Sequence, residues 1–263
     1  MAEKLSKTRK QALSHLSSKK MREKSGLFLI EGRKSVMDIL ADCESVWIPD
    51  YIVANPECSA LVSRCLNERG VSDIPVFEAS SIDLRDISSL SSPPEMIAVC
   101  RLPERTDEND ILASPLSSGL YLLLDGIQDP GNLGTIIRTA HWFGISRIFA
   151  SKDTVDLFNP KVVQSTMGSM AKVAVDYMDL QKLVDVNPHI PLVGLLLEGE
   201  DIYNTSLPQS AFIAMGNEGN GLSENLRKRV TLPLTIPPFD PGNHSESLNV
   251  SIATAITLSE FRR

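Results

Sequence analysis

An α/β fold built on a parallel sheet is what this sequence predicts, on three observations. In the second half, short apolar runs alternate with segments of helical periodicity, the pattern of a parallel sheet covered on both faces. Several of those runs end in loops rich in Gly, Pro and Asn. The chain has 263 residues, 42% hydrophobic and 22% charged, enough for two globular domains.

The elements follow in order. Residues 8–24 read as a polar, basic helix ended by Gly26, and Leu27-Phe28-Leu29-Ile30 as a buried strand. Glu31-Gly32-Arg33-Lys34 opens a helix with Val36, Ile39 and Leu40 on one face. Strand-like runs follow at Val46-Trp47-Ile48, Tyr51-Ile52-Val53, Val76-Phe77 and Ile97-Ala98-Val99-Cys100, with a helix near Ser59–Arg69 that ends at Gly70. This makes a small α/β domain over residues 1–102. Residues 103–118 continue a Pro-, Ser- and acid-rich stretch that begins at Arg101, and read as a linker. From 119 to 263 the alternation is regular. Strands are expected at Tyr121–Asp125, Arg147–Ala150, Val173–Val175, Leu192–Leu197, Ala211–Met215 and Thr231–Ile236. Helices are expected at Gly131–Gly144, Pro160–Met170, Met178–Val186 and Ser247–Arg263. The last is apolar on all sides before Glu260, which suits burial between subunits, with a symmetric dimer as the default.

Composition excludes several classes. No apolar run approaches a membrane span, and the N-terminus lacks the apolar core of a secretory signal, so a cytoplasmic protein is expected. Cys43, Cys58, Cys65 and Cys100 form no C-x-x-C pair and the histidines are scattered, so no metal site and no disulfide framework is expected. The net charge of −7 hides an asymmetry: residues 1–34 hold ten Lys/Arg against three Glu. Such an arm can contact phosphates or serve as a solvated face. Arg9, Lys10, Lys19, Lys20, Arg22 and Arg33 are its candidate phosphate contacts.

In open parallel sheets, ligands bind outside the carboxyl ends of strands. Three loops there carry chemistry-bearing residues. The first, Asp125 to Gly134, runs into a helix whose stripe of Leu133, Ile136, Ile137, Ala140 and Phe143 faces the sheet. Gly134, Arg138 and His141 fall on the other side, so a small residue sits beside an arginine near a helix start. That suits a phosphate; the alternative is a glycine-rich turn with a solvent arginine. The second, Met215 to Ser223, holds Glu218 among three glycines and fits neither a P-loop nor the G-x-G-x-x-G fingerprint. The third, Thr235 to Asn249, is a Pro/Gly-rich loop that ends at Ser247, a natural N-cap, with Asn249 two residues on.

Together, DPGNLGTIIRTA (129–140), GNEGNGLS (216–223) and IPPF…ESLNVSIATAI (236–256) resemble the TrmH/SpoU family of RNA ribose 2′-O-methyltransferases, of the SPOUT class. KKMREKSGLFLIEGRKSV (19–36) resembles the substrate-binding domain that many members carry. The resemblance implies a C-terminal SPOUT α/β knot, a deep trefoil knot on a parallel sheet, plus a small N-terminal L30e-like domain. It implies S-adenosylmethionine held by backbone around Gly216, Ile236 and Leu248, with Leu195, Leu196, Leu197 and Met215 lining the pocket and Asn217, Gly221, Pro238 and Ser247 beside it. Arg138 is implied to be central to catalysis, with Asn132, Glu218, Ser247 and Asn249 around it. A guanidinium holds its proton firmly, so gripping a phosphate and polarising the hydroxyl suits Arg138 better than acting as a base. The implied partners are ribosomal or transfer RNA and a second copy of the chain. The stretch FDPGNHSE (239–246) is longer than the family's usual spacing. The rival readings are an RNA-binding protein without catalysis and a Rossmann-type dehydrogenase.

Overall fold

The fold is described from a computed structural model, over residues 3–41, 47–68, 73–104, 106–240 and 242–263. It divides into two compact units, residues 1–104 with 156–171, and residues 105–155 with 172–263.

The first unit begins with β1 (Glu3–Lys4), α1 (Lys7–Ser14), a 3-10 turn (His15–Ser17) and α2 (Lys19–Ser25). The single basic helix expected over 8–24 is thus broken. Ser14 to Ser18 carry no strong helix former except Leu16, and Ser18 turns extended at ψ 128°. Gly26 closes α2 in the left-handed region at φ +69°, the conformation its missing Cβ makes easy. Then come β2 (Leu27–Glu31), α3 (Arg33–Ala41), β3 (Pro49–Ala54), α4 (Pro56–Glu68), β4 (Val76–Glu78), α5 (Ser81–Ile87) and β5 (Met96–Arg101). The strands form a five-stranded sheet in the order β1-β4-β3-β5-β2, in which β5 runs antiparallel to both neighbours. Trp47 and Ile48 lie outside any strand, and Val46 and Gly70 fall outside the described residues. Helix α5 escapes the sequence reading because its signal is a cap, not periodicity. The Ser80 hydroxyl accepts from the Asp83 N–H at 3.1 Å, and the Asp83 carboxylate accepts from the Ser80 N–H at 3.3 Å.

Leu13, Leu16, Leu29, Val53, Phe77, Leu84, Ile97 and Val99 form one core of this unit. A second contact set recruits the segment 156–171, which includes α8 (Pro160–Thr166). Phe28, Trp47 and Phe158 stack in a trio with centroids 4.7–5.8 Å apart, and the Trp47 indole N–H donates to the Met170 carbonyl at 3.4 Å. Arg22, only 3% exposed, donates to the Leu16 and Ser17 carbonyls at 2.9 and 2.8 Å and to Asp156 at 2.6 Å. Burial also pushes the Cys100 thiol up to about 12, so it stays protonated at neutral pH.

The second unit holds α6 (Glu108–Leu112), β6 (Leu120–Asp125), α7 (Pro130–Trp142), β7 (Arg147–Ala150), β8 (Ala174–Tyr177), α9 (Leu180–Asp185), β9 (Leu192–Asp201), β10 (Ala211–Gly216), α10 (Glu224–Arg227), β11 (Leu232–Thr235) and α11 (Val250–Phe261). Its sheet has six strands in the order β11-β9-β10-β6-β7-β8, every pair parallel. The expected linker therefore contains a helix, α6, capped by the Asp107 carboxylate, which accepts from the Asn109 N–H at 2.9 Å. Ile111 of α6 joins Leu123, Phe149, Leu183, Phe212, Leu222 and Leu226 in the core. β9 runs four residues beyond the expected end at Leu197. Gly199 permits this: a Cβ there would sit 2.8 Å from the backbone of Pro233 and Leu234 on β11. No helix among the described residues is long and apolar enough to cross a membrane.

Arg22→Ala is expected to destabilise the protein by about 3 kcal/mol, because it leaves the Asp156 carboxylate without its buried partner. Urea unfolding measures this, and adding Asp156→Asn should recover part of the loss.

Candidate active site

β6 and β10 end side by side, with Gly216 in register with Asp125, so the first two loops leave the sheet together. Gly126 sits at φ +72° and donates its N–H to the Ser151 hydroxyl at 2.8 Å. Its carbonyl accepts from the Asn217 amide at 2.8 Å. The Asn217 side-chain oxygen accepts from the Gly219 and Asn220 N–H groups at 2.9 and 3.1 Å. Asn217 thus spends its side chain building the second loop. Backbone bonds from the Asn217 N–H to the Gly221 carbonyl (3.0 Å) and back (2.8 Å) close that loop on itself. Gly216 is required by this closure: a Cβ on it would fall 2.3–2.6 Å from the backbone of Gly221 and Leu222.

Asp125 ties the loops again. Its carboxylate accepts from the Ser223 N–H at 2.7 Å, at the start of α10. Sequence reading placed Asp125 only at a strand end; an acid closing an apolar strand was the available signal.

The third loop joins through its asparagine. Asn249 caps α11, its oxygen accepting from the Ser251 and Ile252 N–H groups at 2.9 and 3.3 Å. The expected cap, Ser247, lies two residues outside the helix, exposed, with its carbonyl taking the Ser245 hydroxyl at 3.2 Å. The Asn249 amide donates to the Asn132 side-chain oxygen at 2.9 Å, and the Asn132 amide donates to the Glu218 carboxylate. Asn132 stands in the first turn of α7, whose N-cap Asp129 accepts from the Asn132 N–H at 2.8 Å. One asparagine therefore connects all three loops.

Arg138 is on the exposed face of α7, with no hydrogen bond or ion pair among the described residues. Glu218 bonds to Asn132 and not to Arg138. Gly134 is buried with Leu133, Ile136, Ile137 and Ala140, contrary to the expected outward position. α7 packs along α11, so that side of the helix is also covered.

The donor set for an adenosyl group is apolar surface plus free backbone. Leu197 (77% exposed) and Leu248 (47%) offer such surface, Ile236 and Leu195 are half-buried, and Pro238 and Gly221 are exposed. The Thr235 hydroxyl donates to the Leu197 carbonyl at 3.2 Å, which ties the end of β11 to the middle of β9. These residues fit the group. Met215 does not line the site: it is 1% exposed, in register with Leu124. Leu196 turns instead toward the core cluster. No group of His, Cys, Asp and Glu among the described residues could hold a metal ion.

In the first unit, the candidate RNA contacts separate. Lys19, Lys20 and Arg33 are exposed without ion pairs among the described residues. Lys10 is clamped at 2.7 Å by both Asp83 and Asp86, whose hydrogen bonds raise its pKa and, for Asp83, lower the acid's. Arg9 lies over the Phe77 ring at 4.3 Å and faces Glu3 at 3.9 Å. Arg22 is buried, so its role is structural.

The parallel sheet with its joined loops is consistent with an α/β knot of the SPOUT class. Comparison with known proteins agrees. Residues 119–259 match the SpoU rRNA Methylase family, and residues 8–98 match the MRM3-like substrate binding domain. The chain is 32% identical over 258 residues to the 23S rRNA (guanosine(2553)-2′-O)-methyltransferase of Bacillus subtilis, covering 94% of this chain and 93% of that one. Among solved structures, a TrmH-family protein from Porphyromonas gingivalis is 36% identical with TM-score 0.80, covering 98% of both chains. An AdoMet-bound rRNA methyltransferase from Sinorhizobium meliloti is 26% identical with TM-score 0.82, over 99% of this chain and 96% of that one. The chain belongs to the SpoU rRNA methylase family.

Gly216→Ala is expected to destabilise the protein by about 2–3 kcal/mol, since only backbone surrounds the added methyl. Thermal unfolding should show the loss, while Gly219→Ala, with only the Asn217 side chain at 3.5 Å, should stay close to wild type.

Proposed function

We propose that this chain methylates the ribose 2′-hydroxyl of a guanosine in 23S ribosomal RNA, with S-adenosylmethionine as methyl donor. The observation that carries the reading is the hydrogen-bonded line Asn249–Asn132–Glu218, which holds three loops together on the helix that presents an unpaired Arg138. The donor supplies a methyl group on a positively charged sulfur, which makes it reactive without a metal. Leu195, Leu197, Ile236, Pro238 and Leu248 would hold its adenosyl part, with backbone of the second and third loops reading the polar edges. Arg138 grips the phosphate next to the target ribose and donates toward the 2′-oxygen, which favours charge building there, and the proton that the hydroxyl loses on methylation passes to water. Glu218 and Asn249 act as positioning residues: they fix which end of the Asn132 amide donates and which accepts. Lys19, Lys20 and Arg33 bind the RNA backbone through the first unit.

The relatives support this reading, since the Bacillus subtilis protein and a 31%-identical Coxiella burnetii one are both named 23S rRNA guanosine 2′-O-methyltransferases. Transfer RNA is the alternative substrate, and the cytosol the compartment that goes with either. We also propose a homodimer through α11, whose Ile252 stays 52% exposed beside half-buried Ala255 and Ile256.

The test is methyl transfer from labelled S-adenosylmethionine to ribosomal and transfer RNA, with the site mapped by ribose methylation. Arg138→Ala should lose roughly 100-fold or more in turnover with little change in donor affinity. Turnover close to wild type would remove Arg138 from the mechanism. Ile252→Asp should shift the light-scattering mass from dimer toward monomer, and an unchanged mass would move the interface off α11.

A further inference from the structure

The stretch 239–246 is the part of the third loop that neither the cofactor nor the hydrogen-bonded line uses. Every described residue from Pro238 to Asn249 is exposed, and Phe239 is fully so, at 106%. A lone exposed apolar residue needs no explanation on its own. Its placement is what matters here. Four residues before it, Thr235 is bonded to the Leu197 carbonyl. Ten residues after it, Asn249 is bonded to Asn132. Both ends of the loop are thus anchored in the site.

The segment around the ring is also conformationally restricted. Pro237 and Pro238 each fix φ immediately before Phe239. The Asp240 carboxylate accepts from the Gly242 N–H at 2.9 Å, and the Asp240 carbonyl from the Asn243 N–H at 3.3 Å. The His244 ring donates from Nδ1 to the Ser245 carbonyl at 2.7 Å, so it is committed to the loop itself. A stiff segment that holds an aromatic ring in water loses little entropy when the ring is covered. Arg138 and the amides and carboxylates at this end of the sheet suit phosphate and ribose, while Phe239 holds out an apolar ring face. A nucleobase needs such a face, and proteins reading unpaired RNA supply it with aromatic side chains. Trp142 (86% exposed) and Tyr203 (47%) are the other exposed aromatics of this unit among the described residues; Trp142 stands on α7 one turn beyond Arg138 and Tyr203 follows β9, so neither belongs to the loop that Thr235 and Asn249 anchor.

Resting on the functional reading above, we propose that Phe239 stacks on a nucleobase of the substrate RNA and so positions the target ribose. Phe239 is then a specificity residue particular to this loop.

The experiment is steady-state methylation of ribosomal RNA by the full-length protein and its Phe239 variants, with donor affinity and oligomeric mass measured alongside. Phe239→Ala should raise the KM for RNA roughly tenfold with kcat little changed. Donor affinity and mass should be as in wild type. Phe239→Trp should restore the KM, and its fluorescence should be quenched on RNA binding. Phe239→Leu, which keeps apolar bulk but no ring, should behave like Phe239→Ala. The proposal is overturned if Phe239→Ala keeps the wild-type KM, if Phe239→Leu rescues as well as Phe239→Trp, or if Phe239→Ala instead weakens donor binding or dissociates the protein. A wild-type protein that methylates no RNA would defeat the functional reading itself, a result visible before any variant is compared.

Discussion

The Asn132 side chain has one donor end and one acceptor end, and the site depends on both being taken. Glu218 accepts from the amide and Asn249 donates to the oxygen. An amide held at only one end can rotate or flip; held at both, it has one orientation. Each bond contributes a net ~1 kcal/mol in an exposed setting, so stability is a small part of its effect. The larger effect is geometric. Glu218 belongs to the loop after β10, Asn132 to the start of α7, and Asn249 to the cap of α11. Fixing one amide fixes three loops, and it does so on the helix that carries Arg138.

Around that line the polar groups divide into those that build loops and those left to act on a ligand. Asn217 and Asp125 direct their side-chain hydrogen bonds to the loops themselves. Glycine is used for space at Gly216 and Gly199, where a Cβ would collide with backbone, and for a left-handed turn at Gly126. Arg138, in contrast, has no hydrogen bond or ion pair among the described residues. The first unit divides its cations the same way. Arg22, Lys10 and Arg9 are taken up by carbonyls, carboxylates and an aromatic ring, while Lys19, Lys20 and Arg33 stay in water. An acidic protein can therefore keep a basic surface for nucleic acid without every arginine in its basic segment contributing.

The errors of sequence reading have physical causes. Ser247 and Asn249 are both good caps, and only the Asn249 oxygen accepting from the Ser251 and Ile252 N–H groups shows which one starts α11. Gly134 has outward helical spacing from the sheet stripe, but α7 has a second neighbour in α11 that periodicity cannot show. Arg22 looks like its neighbours Lys19 and Lys20, yet its partner Asp156 is 134 positions away. Met215 belongs to a strand end next to a ligand loop, but parallel pairing on both sides of β10 buries it.

Local chemistry was enough for the alternating strands and helices, the loops at strand ends and the glycines within them, because periodicity and backbone freedom are properties of short segments. Asn132, Arg138, Glu218 and Asn249 were also visible as polar residues in or beside those loops. What needed the folded chain was the assignment of partners: which amide meets which carboxylate, which arginine is buried, and that residues 156–171 join the first unit. Those choices depend on contacts between positions 86 to 134 residues apart. Hydrogen-bond geometry and close packing select among them only after the sheets have formed.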